Sequence, residues 1–141
     1  MKEQRPQAMN CLKSKADVER YIDTWCRNTE RLHDAINRIM VEKEINLTEL
    51  MVNSRINRNY GYNIVNGRRE NPGRDKVLAI CIAAQLSLEE AEELLAIAKV
   101  AGLYYRSERD VRIAYALNKK VGDVLEVNIM LSDAGLEPLN V

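Results

Sequence analysis

An all-α fold is what this sequence predicts, and three observations carry the prediction. Strand signals are scarce: apolar and polar residues seldom alternate, and β-branched or aromatic residues rarely cluster. Apolar residues instead recur three and four apart, behind residues that cap helices, such as Ser14, Asn46, Asn57, Ser87 and Ser107. Breakers such as Asn66-Gly67, Pro72-Gly73, Gly102, Gly122 and Gly135 punctuate these runs. Seven or eight helices with short connections are expected, and no repeat of fixed period occurs.

The elements follow in order. Ser14 caps a first helix, with Asp17 in its first turn and Val18, Tyr21, Ile22 and Trp25 spaced for one face. Thr29 is expected to cap a second, striped by Leu32, Ile36, Ile39 and Met40, unless the two are continuous. Asn46 begins a short helix, where Glu49 completes a capping-box-like pair and Leu50 and Met51 supply the apolar side. Asn57 caps the next, which ends near Asn66-Gly67. A buried helix follows from Arg74 to about Gln85. Ser87 caps "LEEAEELLAIAKVA", whose acidic first turn suits the helix dipole and which Gly102 should end. Ser107 caps a helix to Lys120, and a last one runs from Asp123 to Ala134 before Gly135 and Pro138.

Composition narrows the function. The 141 residues are 46% apolar and 30% charged, enough for one core and a hydrated surface. The longest apolar run, "VLAICIAA" at Val77–Ala84, has eight residues, where a membrane span needs about 20. The N-terminal "MKEQRPQAMNCLKSK" lacks an apolar leader core, so a cytoplasmic chain with no membrane partner is expected. Cys11, Cys26 and Cys81 form no CxxC pair, and Cys81 reads as core filler. His33 is the only histidine and has no partners at ligand spacing, so no metal and no cofactor is expected. Glu89, Glu90, Glu92 and Glu93 resemble paired carboxylates but fit a solvated first turn better. No phosphate loop and no nucleophile elbow occurs, and the expectation is not an enzyme.

Charge is uneven within a neutral chain. Residues 1–54 carry nine basic and nine acidic side chains. Residues 55–76 carry six basic and two acidic, and residues 77–141 six basic and ten acidic. A local excess of +4 predicts an anionic partner for the middle segment, against the plainer reading of a solvated loop.

That segment holds the motif. In "NLTELMVNSRINRNYGYNIVNG", Asn46–Gly67, two short helices are joined by about three residues. Leu50 and Met51 face inward, Ile56 plugs the turn and Ile64 anchors the second helix, the pattern of a helix-turn-helix. With Asn57, "NG" at 66–67, "RR" at 68–69 and "NPG" at 71–73, the chain resembles the lambda-repressor-like (XRE-type) DNA-binding domains. The resemblance covers about half the chain and implies a five-helix domain over 29–101. An N-terminal extension at 1–28 and a C-terminal helical hairpin at 102–141 would flank it, the hairpin on the same core. Four positions depart from the family's pattern: Leu47 for a phosphate-contacting Gln, Met51 for a small residue, Arg55 for a turn Gly and Gly61 for a buried aliphatic.

The resemblance places the second helix in the major groove, with Arg58, Asn59, Tyr62 and Asn63 on base edges. Arg and Asn suit that task because each can hold a purine edge bidentately. Arg55, Asn66, Arg68, Arg69 and Arg74 are the expected phosphate contacts. Tyr60 and Tyr62 also read as core-edge residues. The function expected is a sequence-specific regulator that binds double-stranded DNA as a homodimer. The alternative is a diverged protein-interaction module, adaptor or inhibitor, whose partner is another protein. The stripes Val18, Tyr21, Ile22, Trp25 and Val111, Tyr115, Leu125, Ile129 are candidates for dimerisation, or else complete the core.

Overall fold

The computed structural model describes residues 9–26 and 29–141, and among them every regular element is helical. The residues before Met9, and Arg27–Asn28 where the first helix was expected to end, lie outside the described residues. The chain forms two compact units, residues 1–30 and 31–141. In the first, α1 (Lys15–Tyr21) runs on into a π turn at Ile22–Cys26. Ser14 and Asp17 close the full capping box, each side chain accepting from the other's backbone N–H. No residue of α1 or of the π turn is buried.

The second unit holds α2 (Leu32–Lys43), α3 (Leu47–Ser54), α4 (Arg58–Val65), α5 (Arg74–Ala83), α6 (Leu88–Ile97), α7 (Glu108–Asn118) and α8 (Val124–Asp133). α5 is the hub: Val77 to Ala83 are all buried in it. Around it lie Ile36 of α2, Leu50 of α3, Ile64 of α4, Leu94 of α6, Ile113 of α7 and Leu131 of α8. The C-terminal hairpin α7–α8 therefore shares this core. Cys81 is fully buried there, and burial pushes its thiol up to about 12, which fits filler rather than a nucleophile.

Several boundaries differ from expectation. α2 starts at Leu32 after Arg31, with no side-chain cap, so Thr29 caps nothing. Only half of the Asn46–Glu49 pair forms, the Asn46 side chain accepting from Glu49 N–H. α5 stops at Ala83, α6 at Ile97 rather than Gly102, and α7 at Asn118. The reason is shared. Glu44, Gln85, Lys99 and Lys120 take the left-handed conformation just past their helices, with φ of 53–60°. In each case the next residue, Ile45, Leu86, Val100 or Val121, donates back to the helix and packs on the core. A non-glycine in that conformation costs about 1 kcal/mol; fully burying Leu86 gains about 1.5–3 kcal/mol, and half-buried Ile45, Val100 and Val121 gain a part of that together with the hydrogen bond each donates back.

Candidate nucleic-acid interface

α3 and α4 are joined by Arg55, Ile56 and Asn57. Three features fix this turn. Arg55 is left-handed at φ 61°. Ile56 is buried beside Leu50 and Ile64. Ser54, fully buried, donates to the Met51 carbonyl at 3.1 Å and accepts from Ile56 N–H at 3.3 Å. The Asn57 side chain then accepts from Asn59 and Tyr60 N–H, which starts α4.

The departures at 51 and 61 explain one another. Met51 of α3 lies directly over Gly61, where a Cβ would meet its sulfur. A large residue on α3 takes the space that a small one on α4 leaves. Gly67 ends the helix at φ 85°, and a Cβ there would come within 2.9 Å of the His33 ring. His33 thus lies half-buried behind the turn, with Nε2 3.3 Å from Asp34.

α4 is two-faced. Gly61, Ile64 and Val65 are buried, while Arg58 and Asn59 are exposed and Tyr62 and Asn63 half-exposed beside them. Arg58 Nε donates to Tyr62 Oη at 3.2 Å, and its guanidinium lies 5.4 Å from that ring centre. This pair holds two candidate side chains together without burying either. Tyr62 also packs its inner edge on the core, as its core-edge reading expects.

Beyond α4 the chain turns back on itself. Arg68 N–H donates to the Asn66 side chain and Arg69 N–H to the Asn63 carbonyl. Arg68 and Arg69 are exposed, and the Arg68 guanidinium has no partner among the described residues. Arg69 lies 4.4 Å over the Tyr60 ring and Lys76 4.8 Å from it. Tyr60 is thus a platform for two cations, a role its sequence position did not disclose.

Two expected phosphate contacts are otherwise engaged. Arg55 makes a bidentate pair with Asp123, at 3.0 and 2.9 Å, tying the turn to the cap of α8. That hydrogen bonding holds Asp123 below the usual carboxylate range and Arg55 above its own. Arg74 donates to both oxygens of buried Asp110, at 3.2 and 2.8 Å, and to the Ala101 and Gly102 carbonyls. Asp110 also accepts from Tyr104 N–H, so Arg74 fastens α5 to α7 and to the loop before it. The partners lie 68 and 36 positions away, beyond the reach of any local pattern.

The remaining expected side chains, Arg58, Asn59, Tyr62, Asn63, Asn66, Arg68 and Arg69, lie on the exposed side of α4 and in the turn that follows it. Among the described residues, no helix is long and apolar enough to cross a membrane. No protein-family model, no curated protein and no solved structure matches this chain.

Proposed function

We infer that this chain is a sequence-specific regulator of the lambda-repressor-like type, binding double-stranded DNA as a dimer. The observation that carries the reading is the two-faced α4. Its apolar side is buried, and its open side offers Arg58, Asn59, Tyr62 and Asn63, continuing into Arg68 and Arg69. With α4 in the major groove, Arg58 and Asn59 stand nearest the base edges, where Arg pairs with guanine and Asn with adenine. Tyr62 and Asn63 repeat that side one turn on. Arg68 and Arg69 meet the phosphates as the backbone leaves the groove. The Arg58–Tyr62 contact supports this by limiting the freedom lost on binding.

A second reading, a protein-interaction module without DNA binding, is favoured by the engagement of Arg55 and Arg74. With both paired inside the molecule, fewer cations are left for phosphate. In vitro selection from a random pool of duplexes separates the two. The DNA reading expects enrichment of a site with two related halves. A pool that stays random after repeated rounds favours the protein-partner reading.

A further inference from the structure

Tyr60 is half-buried at the edge of α4, packed against the core and in contact with two cations. It follows Asn59 and so stands about 100° round the helix from it, between the open side and the buried one. The Arg69 guanidinium lies 4.4 Å from the ring centre and the Lys76 ammonium 4.8 Å. The two come from different elements. Arg69 belongs to the turn after α4, which its N–H ties back to the Asn63 carbonyl at 2.8 Å. Lys76 is in the first turn of α5, half-exposed, and its ammonium also donates to the Asn140 carbonyl at 3.3 Å. The cations are therefore closer together than the screening length of about 10 Å at 0.1 M salt, so each feels the other's charge. The ring face attracts both but does not cancel their repulsion. Arg55, Arg74 and Arg109 each hold a carboxylate. Among the described residues Arg69 and Lys76 hold none, and Asp75, beside Lys76 in the chain, is taken by Arg109.

We propose that Tyr60 is a positioning residue for the DNA backbone: its ring holds Arg69 and Lys76 near one another, and Lys76 joins Arg69 as a phosphate contact. The proposal rests on the DNA reading above and adds to it a contact and the residue that sets it. A free Arg or Lys side chain loses rotamer freedom when it meets a phosphate. Here the ring and the Asn140 carbonyl take part of that freedom away in the folded chain. Two neighbouring cations without acid partners also gain doubly from an anion. Each attracts it, and its charge offsets their mutual repulsion. Placement favours a phosphate over a base edge. Tyr60 stands beside the side of α4 that carries Arg58, Asn59, Tyr62 and Asn63, where the backbone flanks the groove.

Anisotropy of the full chain on a labelled duplex of random sequence, across a KCl series, tests this, because a phosphate contact does not depend on sequence. Lys76→Ala should flatten the logarithmic salt slope by about one unit, for one lost phosphate contact. Tyr60→Leu keeps an apolar side chain against the core, and should flatten the slope by at least about as much. Tyr60→Phe keeps the ring face and should match the native slope. Adding Lys76→Ala to Tyr60→Leu should flatten the slope little further, because the two changes remove the same contact. A Tyr60 that only fills space would leave the slope of Tyr60→Leu native and the effect of Lys76→Ala whole. That result overturns the proposal while Arg68 and Arg69 keep their part in DNA binding. A flattened slope in Tyr60→Phe, or a native slope in Lys76→Ala, overturns it as well. A native chain with no salt-dependent binding to any duplex fails the DNA reading itself, and the proposal with it.

Discussion

Arg58 and Arg74 carry the same charge in the same basic segment, and the structure gives them different work. Arg58 is exposed and meets Tyr62 through its Nε and over the ring, so its terminal nitrogens can still reach a guanine. Replacing it with Ala should cost about 1–3 kcal/mol on the preferred duplex and little on random DNA. Anisotropy titrations on both duplexes measure this, and an equal loss on both would make Arg58 a phosphate contact. Arg74 instead serves Asp110, whose side chain is only 8% exposed. Asp110→Ala removes the acceptor of three donors and leaves Arg74 uncompensated, so it should destabilise the fold by about 3 kcal/mol. Urea unfolding reads that cost, and a loss below about 0.5 kcal/mol would assign the pair no structural weight.

At the scale of elements, Met51 and Gly61 make a testable pair. In the native chain, Gly61→Ala drives a methyl into the Met51 sulfur. Its contact cost of about 1–3 kcal/mol should outweigh the roughly 1 kcal/mol of helix propensity gained. Met51→Ala alone should cost about 2–3 kcal/mol through the space it opens. Gly61→Ala added to Met51→Ala should then stabilise, so one substitution changes sign with its background. The same sign in both backgrounds would mean that the two residues do not share that space.

Helix starts were legible because Ser14, Asn46, Asn57, Ser87 and Ser107 each carry an acceptor that bonds locally. The end of α6 was read from Gly102 and is closed instead by left-handed Lys99, while Gln85 and Lys120, where two other helices were expected to end, and Glu44 close theirs in the same conformation. The information lay in the apolar residue that follows each, whose burial depends on the distant core. The exposed residues of α4 could be named from spacing alone. The partners Asp123, Asp110 and Tyr60, which divide the cations between structure and surface, come together only in the folded chain.

For the whole molecule, the paired carboxylates set a direction with pH. Burial works against the charge on Glu90, but the Ser87 N–H, the Lys43 ammonium and the Ser87 hydroxyl hold its pKa at about 2, against 4.5. Asp75 is likewise low: burial opposes its charge, and Arg109 and the Asn140 N–H outweigh it. Asp123 is low beside Arg55. A depressed carboxylate binds protons more readily when unfolded, so its stabilisation is full above its unfolded pKa and fades as pH falls. For Glu90 that window runs from about 4.5 down to about 2. Melting temperature should fall across it, and Glu90→Gln should flatten the fall. A melting profile in the Gln variant as steep as the native one would remove the Lys43–Glu90 pair from the account.

The neutral chain concentrates a +4 excess in residues 55–76, and with Arg55 and Arg74 paired inside the molecule the phosphate contacts of the inferred function fall to Arg68 and Arg69. The most direct measurement is the affinity of the full chain for its selected duplex across a salt series, native against the Arg68→Ala, Arg69→Ala pair. The account predicts affinity that falls linearly on logarithmic axes, with a slope shallower by about one unit per lost phosphate contact in the double variant. Identical affinity and identical slope in the two proteins would contradict it.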